Sequence, residues 1–160
     1  MIVKEKVLIH KGMDKVRQGL YDEAIEIYDR VLAMNPENTH AWNNRGVALF
    51  SANRSEEALE CYNRSIEIDP KNLDALRNRG YVLRSMGRMD EAMKAYEQVM
   101  DAGGDETDLE SMATVLVGVG MLAEALTCLN QAMSINPTDR IEKEIIALMS
   151  TIEQKDKEQK

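Results

Sequence analysis

The sequence repeats itself with a period of about 34 residues, and this periodicity constrains the fold more than any other feature. Alanines, small residues and large residues recur at 33- or 34-residue intervals, in the series Ala24, Ala58, Ala92, Ala125; Gly12, Gly46, Gly80, Ala113; and Tyr28, Tyr62, Tyr96, Leu129. A period of this length is typical of arrays in which one supersecondary unit stacks on the next. We therefore predict four units, at residues 5–38, 39–72, 73–105 and 106–139.

Each unit contains two amphipathic helical stretches that flank a short turn, at residues 19–21, 53–55, 87–89 and 120–122. The chain has only three prolines, and it is rich in the helix-forming residues Ala, Leu, Glu and Arg. This composition predicts an all-α fold of four helical hairpins without a sheet.

The small residues of the repeat indicate where the two helices of a hairpin approach each other. A glycine inside a helix costs about 0.5–1 kcal/mol relative to alanine, so Gly12 and Gly46 are expected to allow close packing. We predict that these glycines, and Gly80 in the third unit, face Ala24, Ala58 and Ala92 of their partner helices. The tyrosines one turn beyond each alanine are expected to fill space against the next hairpin.

The pattern Trp42, Gly46, Ala58, Tyr62 and Pro70 resembles the tetratricopeptide repeat, and the resemblance extends over residues 5–139. It implies a right-handed α-solenoid built from four hairpins. The third unit departs from the pattern because residues 101–105 replace its usual Asp-Pro ending.

A further helix is predicted to close the array at residues 140–157. Asp139 is expected to cap this helix together with Glu142, and apolar residues line one of its faces: Ile141, Ile145, Leu148 and Ile152. Residues 158–160 are expected to fray, and the whole chain, 1–160, is predicted to form one domain.

Charge and apolar patterning argue against several classes of function. A net charge of −8 repels a phosphate backbone, so no nucleic-acid partner is expected. The longest apolar run, residues 115–123, is interrupted by two glycines and is too short to cross a membrane. The first residues lack the pattern of a secretory signal. We expect a cytoplasmic protein with no membrane partner.

The sequence contains few residues that could support catalysis or bind a cofactor. The chain contains two histidines and two cysteines, and the cysteines have neither zinc-ligand spacing nor a nearby histidine pair. Cys61 and Cys128 occupy equivalent positions in the second and fourth units, where we expect them to fill the core. We predict a non-enzymatic protein without a cofactor or a metal.

The face of each first helix that is opposite its buried stripe is the best candidate for binding. At 100° per residue, a buried stripe through Trp42, Gly46 and Leu49 places His40, Asn44 and Val47 on the other side. The repeat gives equivalent positions in the other units. The candidate partner-binding residues on this face and its flanks are Lys6, His10, Met13, Arg17, His40, Asn43, Asn44, Val47, Arg77, Asn78, Tyr81, Arg84 and Ser111.

In tetratricopeptide proteins the first-helix faces line a concave groove that binds extended or helical peptides. The resemblance implies that Asn44 and Asn78 hydrogen-bond a peptide backbone, although asparagines at these positions are equally compatible with simple solvation. The five positions that clamp chaperone tails in one subfamily hold Ile9, Met13, Asn44, Asp74 and Asn78 here. Because only Asn44 matches, a chaperone-tail clamp is disfavoured.

The first helices of units one to three contain eight basic and three acidic residues, whereas their second helices contain three basic and twelve acidic residues. This distribution favours a ligand that carries carboxylates, although acidic residues also simply solvate an outer face. A second hypothesis is that the first hairpin, through Ile2, Val3 and Val7, associates with another copy to form a weak homodimer.

Overall fold

The computed structural model describes residues 3–158, and these residues form helices joined by turns and short loops, without a strand. This result confirms the predicted all-α class. The nine helices of the described residues are α1 (Val3–Arg17), α2 (Tyr21–Met34), α3 (Thr39–Ser51), α4 (Ser55–Ile68), α5 (Leu73–Ser85), α6 (Met89–Asp101), α7 (Glu106–Gly118), α8 (Leu122–Ile135) and α9 (Asp139–Glu158).

The helices form two compact units. Unit 1 ends at Met86 and contains α1 to α5, and unit 2 begins at Gly87 and contains α6 to α9. The boundary falls inside the predicted repeat 73–105. The prediction of one domain over the whole chain stays a prediction.

In unit 1, consecutive helices pack against each other, and the first helices of neighbouring repeats are also in contact, α1 with α3 and α3 with α5. The turns within the first two hairpins reverse the chain with a left-handed residue, Gly19 (φ 75°) and Asn53 (φ 61°). Each turn is closed by a backbone hydrogen bond of 2.9 Å, from Leu20 N to Lys15 O and from Arg54 N to Leu49 O.

The predicted helix contacts of the small residues need a correction. Ala24 and Ala58 are fully buried, but the side chains that lie against the glycines are the tyrosine rings of the same hairpin. A Cβ atom at Gly12 would lie 2.6 Å from Tyr28 Cε1. The tyrosines therefore pack on the glycines, because only a residue without a side chain leaves room for a ring at this distance.

A buried carboxylate links the first helix to the loop between α2 and α3. Glu5 is only 2% exposed, and its Oε2 accepts hydrogen bonds from Asn38 Nδ2 at 2.8 Å and Asn35 Nδ2 at 3.2 Å. Asn38 also caps α3, because its Oδ1 accepts a bond from Ala41 N at 2.9 Å. Glu5 thereby fixes the start of α3 against α1.

In unit 2, α7, α8 and α9 share one apolar core, which includes both Ala113 and Leu129. Ile141 and Leu148 of α9 are buried in this core, and Ile145 and Ile152 pack against it. The closing helix is thus longer than the predicted 140–157 by one residue at each end.

The cap of α9 differs from the prediction. Thr138, rather than Asp139, precedes the helix, and its Oγ1 accepts a bond from Ile141 N at 3.3 Å. Glu158 still belongs to α9, whereas residues 159–160, like Ile2, lie outside the described residues.

Candidate functional site

The first-helix faces of unit 1 form a groove, which we call the α1–α5 groove. It has a volume of about 440 Å³. Its lining comes from all three first helices: Lys6, Ile9, His10, Met13, His40, Asn43, Asn44 and Asp74. Six of the predicted partner-binding residues therefore lie together around one depression.

Two asparagines join the middle helix of this groove to the next. Asn43 is 92% buried, with 8% exposed, and its Oδ1 accepts a hydrogen bond of 2.9 Å from Asn78 Nδ2. The sequence placed Asn78 in a row with Asn44, as a ligand for a peptide backbone. This hydrogen bond uses one N–H of the Asn78 side-chain amide. The side-chain carbonyl oxygen of Asn78 takes no part in it.

Asn44 has a different environment from the Asn43–Asn78 pair. Its side chain is half-buried and borders the groove. Within residues 3–158 its amide forms no hydrogen bond, so both its donor and its acceptor are available to a ligand. A half-buried amide of this kind is well placed to pair with an extended backbone.

Aromatic and cationic side chains extend this surface along α5. The ring of Tyr81 is half exposed, at 49%, and meets the Phe50 ring edge to face at a centroid distance of 5.7 Å. The guanidinium carbon of Arg84 lies 5.5 Å from the centre of the Tyr81 ring, within cation–π range. The three side chains hold one another in place, which presents an ordered apolar surface beside a positive charge.

The α1–α5 groove contains more basic than acidic side chains. Lys6, His10 and His40 are exposed in its lining, and Asp74 adds one carboxylate. His10 Nδ1 lies 2.9 Å from the Lys6 carbonyl oxygen, one turn earlier on α1, and this contact orients the imidazole ring. The groove thus offers the ammonium group of Lys6 and two imidazole rings together with the apolar side chains of Ile9 and Met13.

The remaining predicted residues have various environments. Arg17 forms an exposed ion pair of 2.9 Å with Asp14 on its own helix, and Val47 and Arg77 are half-buried on α3 and α5. Ser111 belongs to unit 2, where its hydroxyl donates to Thr107 O at 3.0 Å. The assignment of these residues to a binding face stays a prediction.

The two thiols are part of the core, as predicted. Cys61 is 1% exposed and Cys128 is 8% exposed, and both are unpaired. Burial raises the pKa of the Cys61 thiol, although Arg45, which donates to Sγ at 3.1 Å, opposes the rise. Burial likewise raises the pKa of Cys128. These thiols therefore have little of the thiolate character that nucleophilic cysteines need.

Residues 3–158 contain neither a cluster of metal-ligating side chains nor a helix suited to a membrane. Between residues 3 and 158, no group of three or more His, Cys, Asp or Glu side chains is arranged to hold a metal ion. In the same part of the chain, no helix combines the length and the apolar character that spanning a bilayer demands.

Two contacts between neighbouring first helices were not predicted from the sequence. Phe50 was not among the predicted residues, yet its ring contacts Tyr81, and Asn43 was predicted to bind a partner, yet its amide contacts Asn78. The available signal was their spacing, because each pair lies 31 or 35 residues apart, close to one repeat.

Comparisons with known proteins agree with this fold. Two family models, both described as tetratricopeptide repeat, match residues 10–72 and 48–117. Together they cover residues 10–117 and confirm the resemblance found in the motif pattern. A search of curated proteins finds no match to the sequence.

Solved structures share the fold at low sequence identity. MamA residues 41 to the end from Desulfovibrio magneticus RS-1 is 16% identical, with a TM-score of 0.81 over 96% of this chain and 88% of that one. The Sgt2 TPR domain from Aspergillus fumigatus is 23% identical (TM-score 0.70, 76% of this chain and 83% of that one). YrrB is also 23% identical (TM-score 0.70, 81% and 68%). These similarities confirm the tetratricopeptide fold.

Proposed function

We propose that this chain, which belongs to the tetratricopeptide repeat family, is a non-enzymatic scaffold that binds a peptide segment of another protein in the α1–α5 groove. The observation that carries the proposal is the groove itself, in which side chains from three successive first helices surround one depression of about 440 Å³. A depression of this size is within the range of ligand pockets, about 300–1,000 Å³.

The proposed contacts combine apolar and backbone recognition. Met13 and Tyr81 are 37% and 49% exposed, and with the half-buried Val47 they provide apolar contact for ligand side chains. Asn44 supplies a donor and an acceptor to the ligand backbone, and Asn78 contributes its carbonyl oxygen. An extended peptide uses both kinds of contact, whereas a helical peptide, whose backbone groups bond within the helix, uses the apolar contacts alone.

We infer that the preferred ligand carries carboxylates. Lys6 borders the groove, and the guanidinium of Arg84 lies beside the Tyr81 ring. His10 and His40 add imidazole groups to the lining that can form hydrogen bonds with a carboxylate. The two cations, Lys6 and Arg84, outnumber the one carboxylate, Asp74, and a local excess of one sign steers oppositely charged ligands. Asp74 is expected to exclude an acidic group from its own corner of the groove.

The relatives support the general class of this function. YrrB is described as "a TPR protein with an unusual peptide-binding site", which is a statement about that protein. We extend only the class, peptide binding, to the present chain, and the residues proposed here come from the geometry of the α1–α5 groove.

The test begins with peptides selected by display on the immobilised full chain and continues with calorimetric titration. We expect selected peptides to contain Asp or Glu next to apolar residues. Asn44→Ala should weaken their binding about tenfold, because one lost pair of hydrogen bonds corresponds to about 1–2 kcal/mol.

Asn130→Ala is the matched control, because Asn130 is exposed on α8 in unit 2. It should leave the affinity unchanged. Equal affinities for the wild type, Asn44→Ala and Met13→Ala would place the ligand elsewhere and reject the proposed site.

A second candidate function is self-association through α1. Val3 is 77% exposed and Val7 is 62% exposed, one helical turn apart on the same helix. Exposed apolar residues at this spacing favour pairing with a second copy as a weak homodimer. A monomer in light scattering at about 100 μM removes this candidate, whereas a dimer that Val7→Glu dissociates supports it.

We propose the cytoplasm as the place of binding. Cys61 and Cys128 are free, buried thiols, and free thiols persist in a reducing compartment.

A further inference from the structure

We propose that unit 2 contains a second docking groove, which binds a basic amphipathic segment of a partner protein. The groove lies between α7 and α9, with α8 at its base, and has a volume of about 330 Å³. We call it the α7–α9 groove. None of its lining residues lines the α1–α5 groove, and the inference does not depend on the function proposed for that site.

The floor of the α7–α9 groove is apolar. It is formed by Ala113, Val117, Leu129, Ala147 and Leu148. Ala113, Leu129 and Leu148 belong to the buried core, whereas Val117 is 45% exposed and Ala147 is exposed. The floor is therefore continuous with the core but open to solvent, and it can receive an apolar side chain from outside.

The hydroxyl groups that line the groove do not change this character. Thr114 Oγ1 donates to Glu110 O at 2.9 Å, and Thr151 Oγ1 donates to Ala147 O at 2.9 Å. Because both hydroxyl hydrogens are used within their own helices, the groove presents mainly methyl and methylene groups to a ligand.

The rim of the groove is acidic. Glu110 of α7 and Glu144 of α9 both line it, and the side chain of Glu110 is only 10% exposed. Both carboxylates share a single cation: Arg140 pairs with Glu110, and its Nη1 also lies 3.2 Å from Glu144 Oε1. Two carboxylates against one guanidinium leave a net negative charge, and Glu144 remains 44% exposed to an incoming cation.

The net negative charge of the chain is concentrated in unit 2. Residues 1–86 contain 13 basic and 13 acidic residues, whereas residues 87–160 contain 7 basic and 15 acidic residues. The whole net charge of −8 therefore belongs to unit 2. A field of this sign raises the rate at which a cationic segment encounters the groove and repels an acidic one.

These observations together define the occupant. The floor requires an apolar side chain, the rim requires a lysine or arginine close to it, and the surrounding charge requires a segment with net positive charge. A basic amphipathic segment meets all three requirements. An acidic peptide of the kind proposed for the α1–α5 groove does not.

The proposal is tested on the full chain with two fluorescein-labelled peptides that share a pattern of leucines on one helical face. One peptide has lysines on its other face, and the second has glutamates at the same positions. In fluorescence anisotropy, the lysine peptide should bind at least tenfold more tightly than the glutamate peptide, and its affinity should fall as salt is raised.

Matched variants locate the binding. Ala147→Lys places a cation in the groove and should weaken the lysine peptide about tenfold or more, whereas Ser150→Lys, three residues further along α9, should not. Glu144→Gln should weaken binding about threefold or more, and Glu153→Gln, which removes the same charge from an exposed position of α9, should leave it unchanged. Circular dichroism checks that each variant is folded.

Three results would overturn the proposal. Equal affinities for the two peptides would remove the role of charge. Equal losses in Glu144→Gln and Glu153→Gln would show attraction to the unit as a whole without a docking groove. The third result is that neither peptide binds but the chain self-associates, and that Ala147→Lys abolishes this self-association. The occupant of the groove would then be a second copy of the chain.

Discussion

The contact between Gly46 and Tyr62 allows the packing of a hairpin to be tested by exchange between repeats. A Cβ atom at Gly46 would lie 2.5 Å from Tyr62 Cε1, which is far inside van der Waals contact. In the fourth repeat the corresponding residues are Ala113 and Leu129, and both lie in one core. In the fourth repeat, alanine thus replaces the glycine, and the smaller leucine replaces the tyrosine.

The expected magnitudes follow from this geometry. Gly46→Ala gains about 1 kcal/mol of helix propensity, but the Tyr62 ring is only 1% exposed and cannot swing away, so overpacking costs about 3 kcal/mol. The single variant should lose about 2 kcal/mol of stability. Tyr62→Leu alone should also lose about 2 kcal/mol, because it leaves a cavity beside Gly46.

The double variant, Gly46→Ala with Tyr62→Leu, should be destabilised by about 2 kcal/mol rather than by the sum of about 4, because the new methyl group fills part of the cavity. The assay is urea unfolding of the full chain, followed by far-ultraviolet circular dichroism. Gly118→Ala is the control, because a Cβ there meets Met89 only at 3.6 Å, and it should be neutral or stabilising. Additive losses in the double variant, or a fully stable Gly46→Ala, would refute the packing argument.

Three further predictions concern the turns, the buried tyrosines and the buried carboxylate. Asn53→Gly should stabilise the chain by about 1 kcal/mol in thermal unfolding, because Asn53 has a φ of 61°; no gain would contradict this reason. Burial raises the pKa of Tyr28 from 10.0 to about 12, so its neutral form stabilises the fold below pH 10 and this contribution is lost as pH rises to about 12. Urea midpoints at pH 9 and pH 11 should therefore differ less in Tyr28→Phe than in the wild type. Glu5→Ala should cost about 2 kcal/mol, because it leaves the Asn38 donor without its acceptor, whereas an equal loss in the exposed control Lys4→Ala would argue against that role.

The repeat period determined most of the fold, because it is set by short-range chemistry that recurs in every unit. Ala24 and Ala58 were predicted on the face that packs against the partner helix, and both have zero exposure. This prediction was possible because the helical period fixes which face of a helix is buried. The ends of the helices were less certain. Thr138 and Asp139 are both good N-caps and are adjacent, so the sequence alone does not decide between them.

Contacts between helices were harder to predict than which face of each helix is buried. A helical wheel shows that Gly12 faces the partner helix, but Ala24 and Tyr28 lie one turn apart on that helix. Which of the two reaches the glycine depends on the crossing angle and the offset of the helices. For the same reason Asn43 was predicted to bind a partner, although the close approach of α5 buries it and pairs it with Asn78.

The most direct test of the proposed function is a nuclear magnetic resonance titration of the isotope-labelled chain with a selected acidic peptide. The side-chain amide of Asn44 is the key reporter, because it borders the α1–α5 groove. We predict that its resonance shifts on binding, together with the backbone amides of Met13 and Tyr81. Shifts confined to the second helices α2 and α4, with an unchanged Asn44 amide, would contradict peptide binding in this groove.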